Sequence, residues 1–379
     1  MKNAVILGCG RVGATIARDL ARDERLRVTA ADARAGALDD LRRIAPRIQT
    51  AVIDLASPAA IRGAIAEANV VVGALPSALG LMALRTVLES GKRYSDISFM
   101  PEDALALHDL ARKHNTTAVV DCGVAPGLAN LILGRCAVEM EAIEDAVYYV
   151  GGLPKTRIWP YQYRAPFAPL DVLEEYTRPA RMIEHGQIVT RPALTEPELI
   201  DFPRVGTLEA FNTDGLRSLL TTVRATNLRE KTLRYPGHAE LMRVLRETGY
   251  FDKNEIQVGP ARVRPIDLTA RLLFPHWQPA PGETEFTVLR VEAAGRLRGA
   301  AVRRRFDLYD ETDVPAGESS MARTTGFPAA IVARMLAFGD LSETGVFAPE
   351  QLAGRGGVLD HIVAELGRRG VRIEESTVA

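Results

Sequence analysis

The sequence predicts an α/β protein: a doubly wound parallel sheet, then an α+β domain with a mixed sheet. Three observations carry that expectation. A short apolar run, Ala4-Val5-Ile6-Leu7, ends in Gly8-Cys9-Gly10-Arg11-Val12-Gly13, and a helical pattern with Val12, Ile16 and Leu20 on one face follows at once. Up to about residue 123, strand-like runs keep alternating with helical ones, as a parallel sheet covered on both faces requires. From about residue 126 the alternation stops, and Pro- and Tyr-rich turns, long strand candidates and apolar helices take over.

In the Gly-x-Gly-x-x-Gly turn, the first glycine allows the tight bend and the second lets a diphosphate approach the backbone. The third lets the helix pack close, so that its N-terminal N–H groups point at the phosphates. Gly8, Gly10, Arg11, Val12 and Gly13 are therefore expected to bind a dinucleotide, in a Rossmann domain. Asp32 follows Gly13 by 19 positions, at the end of the second apolar run, Val28-Thr29-Ala30-Ala31. An acid there accepts hydrogen bonds from a ribose diol and repels a 2′-phosphate, so NAD is expected over NADP. Arg34 pulls the other way, because an arginine at that place can accept the phosphate.

The remaining elements follow in order. A helix is expected near 35–45, and Thr50 to Ile53 is a third strand ending at Asp54-Leu55. Ser57-Pro58 starts a helix, with Ser as N-cap and Pro at the first helical position. Val70-Val71-Val72 leads into Gly73-Ala74-Leu75-Pro76, a helix runs from about Ala78 to Ser90, and Gly91 stops it. Tyr94 to Ile97 is a fifth strand, Pro101 opens a helix that Asn115 closes, and Thr117 to Val120 is a sixth strand before Asp121-Cys122-Gly123. In such sheets ligands sit beyond the carboxyl ends of the strands. That places Asp54, Leu55, Ala74, Leu75, Pro76, Gly123 and Pro126 among the cofactor contacts, with packing as the alternative for Ala74 and helix capping for Asp54.

The domains are expected at 1–125, 126–318 and 319–379. The middle one holds strands at Ala146 to Val150, Lys231 to Arg234, Thr287 to Ala293 and Ala301 to Leu308, and a surface loop from Pro154 to Pro169. Its sheet needs a covering for one face, so this domain is expected to be the oligomerisation domain as well. The last segment returns to the first domain with helices at Phe327 to Phe338, after Pro349, and through Val358, Ile362 and Leu366.

Composition narrows the function. Apolar content of 47%, charged content of 25% and a net charge of −1 describe a globular chain with no electrostatic pull towards nucleic acid or an anionic membrane. No apolar run reaches the roughly 20 residues of a membrane helix, and the chain enters its first strand without a signal-peptide pattern. Three cysteines without metal-ligand spacing are read as reduced and structural, in a cytoplasmic enzyme with no metal site.

Several segments in series resemble the saccharopine dehydrogenase-like family, most closely its lysine 6-dehydrogenase branch. Besides the glycine turn they are Asp121-Cys122-Gly123-Val124-Ala125-Pro126-Gly127, Tyr149-Val150-Gly151-Gly152-Leu153-Pro154 and Gly206-Thr207-Leu208-Glu209-Ala210-Phe211. Arg234-Tyr235-Pro236-Gly237-His238-Ala239-Glu240 and Met321-Ala322-Arg323-Thr324-Thr325 complete the series. The resemblance implies a homodimer or higher homo-oligomer, and oxidation of the ε-amine of L-lysine by NAD to 2-aminoadipate 6-semialdehyde, which cyclises to 1-piperideine 6-carboxylate. Two alternatives stay open: a saccharopine or carboxynorspermidine dehydrogenase-type reductase acting on a secondary amine, and a non-catalytic NAD-binding protein.

Such chemistry needs a group to deprotonate an ammonium and later to activate water, and a reader for the substrate carboxylate. Asp96, at a strand's carboxyl end, is the first candidate for the amine; a turn or cap role is its alternative. Asp121 has a similar position, with a structural role at the domain junction as its alternative. His238 sits in a specific motif, and an imidazole titrating near neutrality suits proton transfer; a hydrogen-bonded core histidine is its alternative. For the carboxylate, the arginine fork points to Arg217, beside the turn containing Thr213, and to Arg234. Arg303-Arg304-Arg305 reads as a solvated or salt-bridged strand face.

Overall fold

The computed structural model describes residues 1–165 and 169–378. The chain divides into two compact units, Met1–Val138 with Ala322–Arg372, and Glu139–Met321 with Ile373–Ala379. The first unit thus takes in the helix Leu128–Glu139 as far as Val138. That helix is buried along most of its length, and Gly134 packs directly on the Glu350 backbone of the same unit.

The first unit is built on β1 (Lys2–Leu7), β2 (Leu26–Asp32), β3 (Gln49–Val52), β4 (Val70–Gly73), β5 (Arg93–Asp96) and β6 (Thr117–Val119). They stand in the order β3-β2-β1-β4-β5-β6, all parallel, and a further strand, Gly345–Phe347, pairs with β6. The order reverses at β1 and β4, which opens the crevice where such sheets bind ligands. Ser57 caps its helix by accepting from Ala60 N at 3.3 Å, with Pro58 at the first position. The helix expected from Pro101 instead begins as a 3₁₀ turn at Ala104, because the Asp103 side chain accepts from Leu105 N. The core on one face of the sheet joins Val5, Leu7, Val71 and Tyr94 to Leu84, Val87 and Leu88.

The second unit carries β7 (Ala142–Pro154), β8 (Ala180–Glu184), β9 (Gln187–Arg191), β10 (Glu198–Phe202), β11 (Gly206–Asn212) and β12 (Ala225–Arg234). A small hairpin of β13 (Ile256–Val258) and β14 (Ala261–Val263) precedes β15 (Glu285–Leu297) and β16 (Ala300–Glu311). The main sheet is mixed: β7 runs parallel to β12 and antiparallel to β15, and β15 pairs with β16 through a turn at Arg298-Gly299. The last strand, Ile373–Val378, joins β16, so the segment after 319 returns to the first unit only as far as Arg372. Helices Pro169–Thr177, His238–Glu247 and Pro265–Trp277 pack with Phe211 on one face, around Trp277. Of the stretch Pro154 to Pro169, residues 166–168 lie outside the described residues. Arg304 is buried and pairs with Glu139 and Glu375, while Arg303 and Arg305 reach Glu292 on the opposite face.

Candidate functional site

The glycine turn has the shape a diphosphate needs. Gly8 adopts φ +99°, and a Cβ there would overlap the Ala74 carbonyl; a Cβ on Gly13 would overlap Gly8 O. At Gly10 the nearest atom to such a Cβ is 3.9 Å away, on Arg34, so this position is open. Helix α1 (Arg11–Leu20) starts directly behind it, with Gly10 as its N-cap and no side chain occupying the cap. Backbone donors facing open space at a helix start suit a phosphate group. Asp32 is 6% exposed. Its Oδ2 accepts from Cys9 N at 2.7 Å, and its Oδ1 from Arg34 N at 2.8 Å and Nε at 3.2 Å. Burial alone would raise this carboxyl, but the Arg34 and Cys9 hydrogen bonds override it and hold it below the usual carboxylate range. The Arg34 side chain is two-thirds exposed and can leave Asp32 at small cost.

Asp96 ends β5 with 0% exposure. Tyr94 Oη donates to its Oδ1 at 3.0 Å and Ser98 Oγ to the same atom at 2.9 Å. Its Oδ2 is buried without a hydrogen-bond partner among the described residues. A Cβ on Gly73, the residue opposite on β4, would overlap both Tyr94 Oη and Asp96 Oδ1, so the cluster needs glycine there. Burial pushes the Asp96 carboxyl up to about 7; the bonds from Ser98 and Tyr94 pull it down, and the charge of Asp121 adds to the rise. Asp121 itself is 6% exposed in a left-handed conformation, φ 54°. Cys122 N donates to Asp96 O at 2.7 Å, which ties the following loop to β5. That loop closes on itself through Gly123 N to Pro126 O and Leu128 N to Gly123 O. Asn130, fully buried, pins it by accepting from Gly127 N and donating to Glu350 Oε2.

The other cofactor candidates divide by exposure. Pro76 and Arg11 are exposed, and Ala74, Val12 and Pro126 are half-buried. Leu55 and Leu75 belong to the core, and Asp54 is exposed with its Oδ1 holding Ala56 N in a turn. Cys9, Cys122 and Cys136 are buried and not joined in disulfides; burial pushes Cys9 up to about 11 and Cys122 up to about 12.

In the second unit His238, Arg234 and Thr213 are all committed to partners inside the unit. His238 is 2% exposed, and its Nδ1 lies 2.9 Å from the Tyr161 carbonyl, which can only accept, so Nδ1 carries the proton. Its Nε2 then accepts from Tyr176 Oη at 2.9 Å, and Tyr176 accepts in turn from Arg234 Nε at 3.1 Å. Burial and the Arg234 charge push this imidazole down to about 3, against the bond to Tyr161. These bonds are those of the alternative reading, a hydrogen-bonded core histidine. Arg234 is 3% exposed. Its guanidinium bonds Tyr176, Leu233 O, Tyr163 Oη and Glu175, and lies 4.4 Å from the Tyr163 ring centre, so its fork is spent inside the unit. Glu175, pushed up to about 6 by burial against the pull of Arg234, is its counter-ion.

Thr213 is likewise committed: its Oγ1 lies 2.7 Å from Glu230 Oε2 and 2.8 Å from Thr232 Oγ1. Glu230, which the sequence reading missed, is 3% exposed and also accepts from Gly215 N. Burial pushes it up to about 8 against the Thr213 bond, with the charge of Glu175 adding to the rise. Arg217 is half-buried at φ 55°. Among the described residues no group of three or more His, Cys, Asp or Glu could hold a metal ion, and no helix is long and apolar enough to cross a membrane.

Known proteins resemble the chain in family, in sequence and in structure. Residues 4–119 match the Saccharopine dehydrogenase NADP binding domain and residues 123–371 the Saccharopine dehydrogenase C-terminal domain. The chain is 20% identical to the saccharopine dehydrogenase [NADP(+), L-glutamate-forming] of Schizosaccharomyces pombe, across 100% of this chain and 99% of that one. It also matches alpha-aminoadipic semialdehyde synthases, spanning 47% of the Bos taurus protein at 21% identity and 21% of the Arabidopsis thaliana protein at 22%. Among solved structures, apo saccharopine dehydrogenase (L-Glu forming) from Saccharomyces cerevisiae superposes with a TM-score of 0.82 at 20% identity, over 100% of both chains. Homospermidine synthase from Legionella pneumophila, in complex with NAD, gives 0.66 at 11%, over 100% of this chain and 91% of that one. At such identities the structural likeness shows the fold alone.

Proposed function

The chain belongs to the saccharopine dehydrogenase family, and from that premise we propose that it is a nicotinamide-dependent oxidoreductase of amino-acid C–N bonds, with the ε-amine of L-lysine as substrate. The observation that carries this reading is the Asp96 carboxyl, buried at the end of β5 with Oδ2 unbonded. With burial pushing it up to about 7, this carboxyl can take a proton from an ammonium at neutral pH and return it in a later step. When bound, the nicotinamide accepts the hydride released from the carbon that carries the amine. Gly8, Gly10 and Gly13 with the start of α1 would hold the diphosphate, and Asp32 the adenosine ribose. Arg217 is the remaining sequence-based candidate for the substrate carboxylate, since Arg234 is spent on Glu175 and the tyrosines.

A saccharopine-type reaction, at a secondary amine, is the second reading. The match to a saccharopine dehydrogenase over nearly the whole of both chains favours it. NAD is the proposed cofactor through Asp32; the name of the matching NADP binding domain and the place of Arg34 favour NADP.

One experiment separates these readings. Purified protein is given L-lysine or saccharopine, each with NAD and with NADP, and reduced-nicotinamide absorbance is followed. Turnover of lysine with NAD supports the first reading; turnover of saccharopine alone replaces it with the second. Cofactor binding without turnover of either would leave a non-catalytic binding protein.

A further inference from the structure

The Asp96 carboxyl is held by one oxygen only. Tyr94 Oη and Ser98 Oγ both donate to Oδ1, at 3.0 and 2.9 Å, and Oδ2 has no partner among the described residues. A carboxyl group free in solution turns about its Cβ–Cγ bond with a broad, nearly two-fold preference. These two side-chain donors on one oxygen, with the further bond that the Ser98 backbone gives the carboxyl, remove that freedom and decide which oxygen is left for another partner. Neither donor can swing away: Tyr94 is fully buried, its ring in the core of the unit, and Ser98 is 1% exposed. Gly73 keeps the space clear, because any side chain there would overlap Tyr94 Oη and Oδ1.

We propose that Tyr94 and Ser98 are positioning residues, a two-donor clamp that holds Asp96 by Oδ1 and leaves Oδ2 as the atom that receives the amine proton. This rests on the reading of Asp96 as the base. In the transfer an N–H bond of the ammonium breaks, its electron pair stays on nitrogen, and an O–H bond forms at Oδ2. The ionisable groups facing Asp96 are Tyr94 on its own strand and Asp121 and Cys122 on the segment after β6. Burial holds the Tyr94 phenol well above its ordinary value, so it stays a neutral donor, and Cys122 stays a neutral thiol. Asp121 supplies the repelling charge.

Each clamp bond favours the ionised carboxylate, so losing one raises the pKa of Asp96, by about one pH unit or somewhat more. Tyr94→Phe keeps the packed ring and Ser98→Ala removes one oxygen, so the two variants perturb the cluster differently. In the full chain without cofactor, the protonated-carboxyl band of Asp96 is titrated by infrared difference spectroscopy and assigned by its loss in Asp96→Asn. The midpoint is expected to rise by about one pH unit in each variant. The acid limb of kcat/KM is expected to rise with it. Midpoints that stay in place overturn the clamp, even if thermal stability falls, since a merely packing role changes stability alone. Midpoints that move while the kcat/KM limb stays overturn the clamp's part in the reaction. Near-normal turnover in Asp96→Asn removes the reading of Asp96 itself, and the clamp's role with it, independently of the infrared result.

Discussion

Asp19 offers a test of the first unit that does not depend on any activity. It sits on α1 with its side chain 1% exposed. Arg369 reaches Oδ1 through Nε at 2.8 Å and Oδ2 through Nη2 at 3.2 Å, and Arg334 bonds Oδ2 and the backbone carbonyl. Both arginines come from the returning segment and are themselves only 16% and 11% exposed, so three charges are packed out of water. Removing one member of a buried ion pair costs about 3–5 kcal/mol, chiefly because the partner is left uncompensated. Here each arginine keeps a second acid, Asp23 at 3.8 Å for Arg334 and Glu365 at 2.7 Å for Arg369. Asp19→Asn should therefore cost about 3 kcal/mol, the low end of that range. Burial alone would raise the Asp19 carboxyl, but the Arg369 and Arg334 bonds and charges hold it below its ordinary 3.8. A depressed carboxylate stabilises the fold above its unfolded pKa, and that share is lost as pH falls through the folded value. The gap between wild type and Asp19→Asn should thus be full at neutrality and close below about pH 4. Urea unfolding followed by far-ultraviolet circular dichroism measures it, as a lower midpoint at unchanged slope. A gap under about 1 kcal/mol at neutral pH, or one of constant size down to pH 2, would refute the reasoning.

Three further outcomes are expected. Asp32→Ala should weaken NAD binding by about 10-fold or more, as loss of charge-assisted bonds does, while Arg34→Ala should weaken NADP more than NAD; calorimetric titration of both variants checks each. Gly73→Ala should lower stability by about 1–3 kcal/mol through overpacking, and should lower turnover by displacing Asp96 Oδ1; a variant with wild-type melting and turnover contradicts the overlap. Glu230 is raised from 4.5 to about 8, so it favours the fold when protonated and that share is lost as pH rises from about 4.5 to 8, at about 1.4 kcal/mol per pH unit. Glu230→Gln should remove this slope and be more stable than wild type at pH 8, and equal slopes in denaturation across the window would contradict it.

What could be read in advance followed the range of the interactions involved. The first unit's elements are set by neighbours in sequence: apolar runs that end at Gly, Asp or Pro, and the Ser57 cap that bonds three residues away. The four strands from Ala180 to Asn212 escaped because β9 and β10 are mostly solvated, with Ile188 54% exposed and Leu199 67%, so period-two alternation is blurred. A signal did exist there: His185-Gly186, both at positive φ, form the two-residue turn between β8 and β9. Gly151-Gly152 looked like a strand end, yet β7 runs through both, and glycine stands at 151 because a Cβ there would lie 2.7 Å from Leu233 O of β12.

The same distinction governs the candidate site. The place of Asp96 at a strand's end is local and was legible, whereas its ionisation depends on burial and on Asp121, 25 positions on. His238 was recognised as a member of a motif, but its protonation is decided by Tyr161 and Tyr176, 77 and 62 positions away. Glu230 was passed over because the strand expectation began one residue later, at Lys231, and nothing beside it in sequence marks it as buried. Pattern reading thus finds where an ionisable group stands on the chain. Whether that group holds a proton at neutral pH is a property of the partners that folding brings to it. It follows that the strongest test of a residue read from a motif is its titration in the folded chain, and at His238 and Asp96 that test is expected to point in opposite directions.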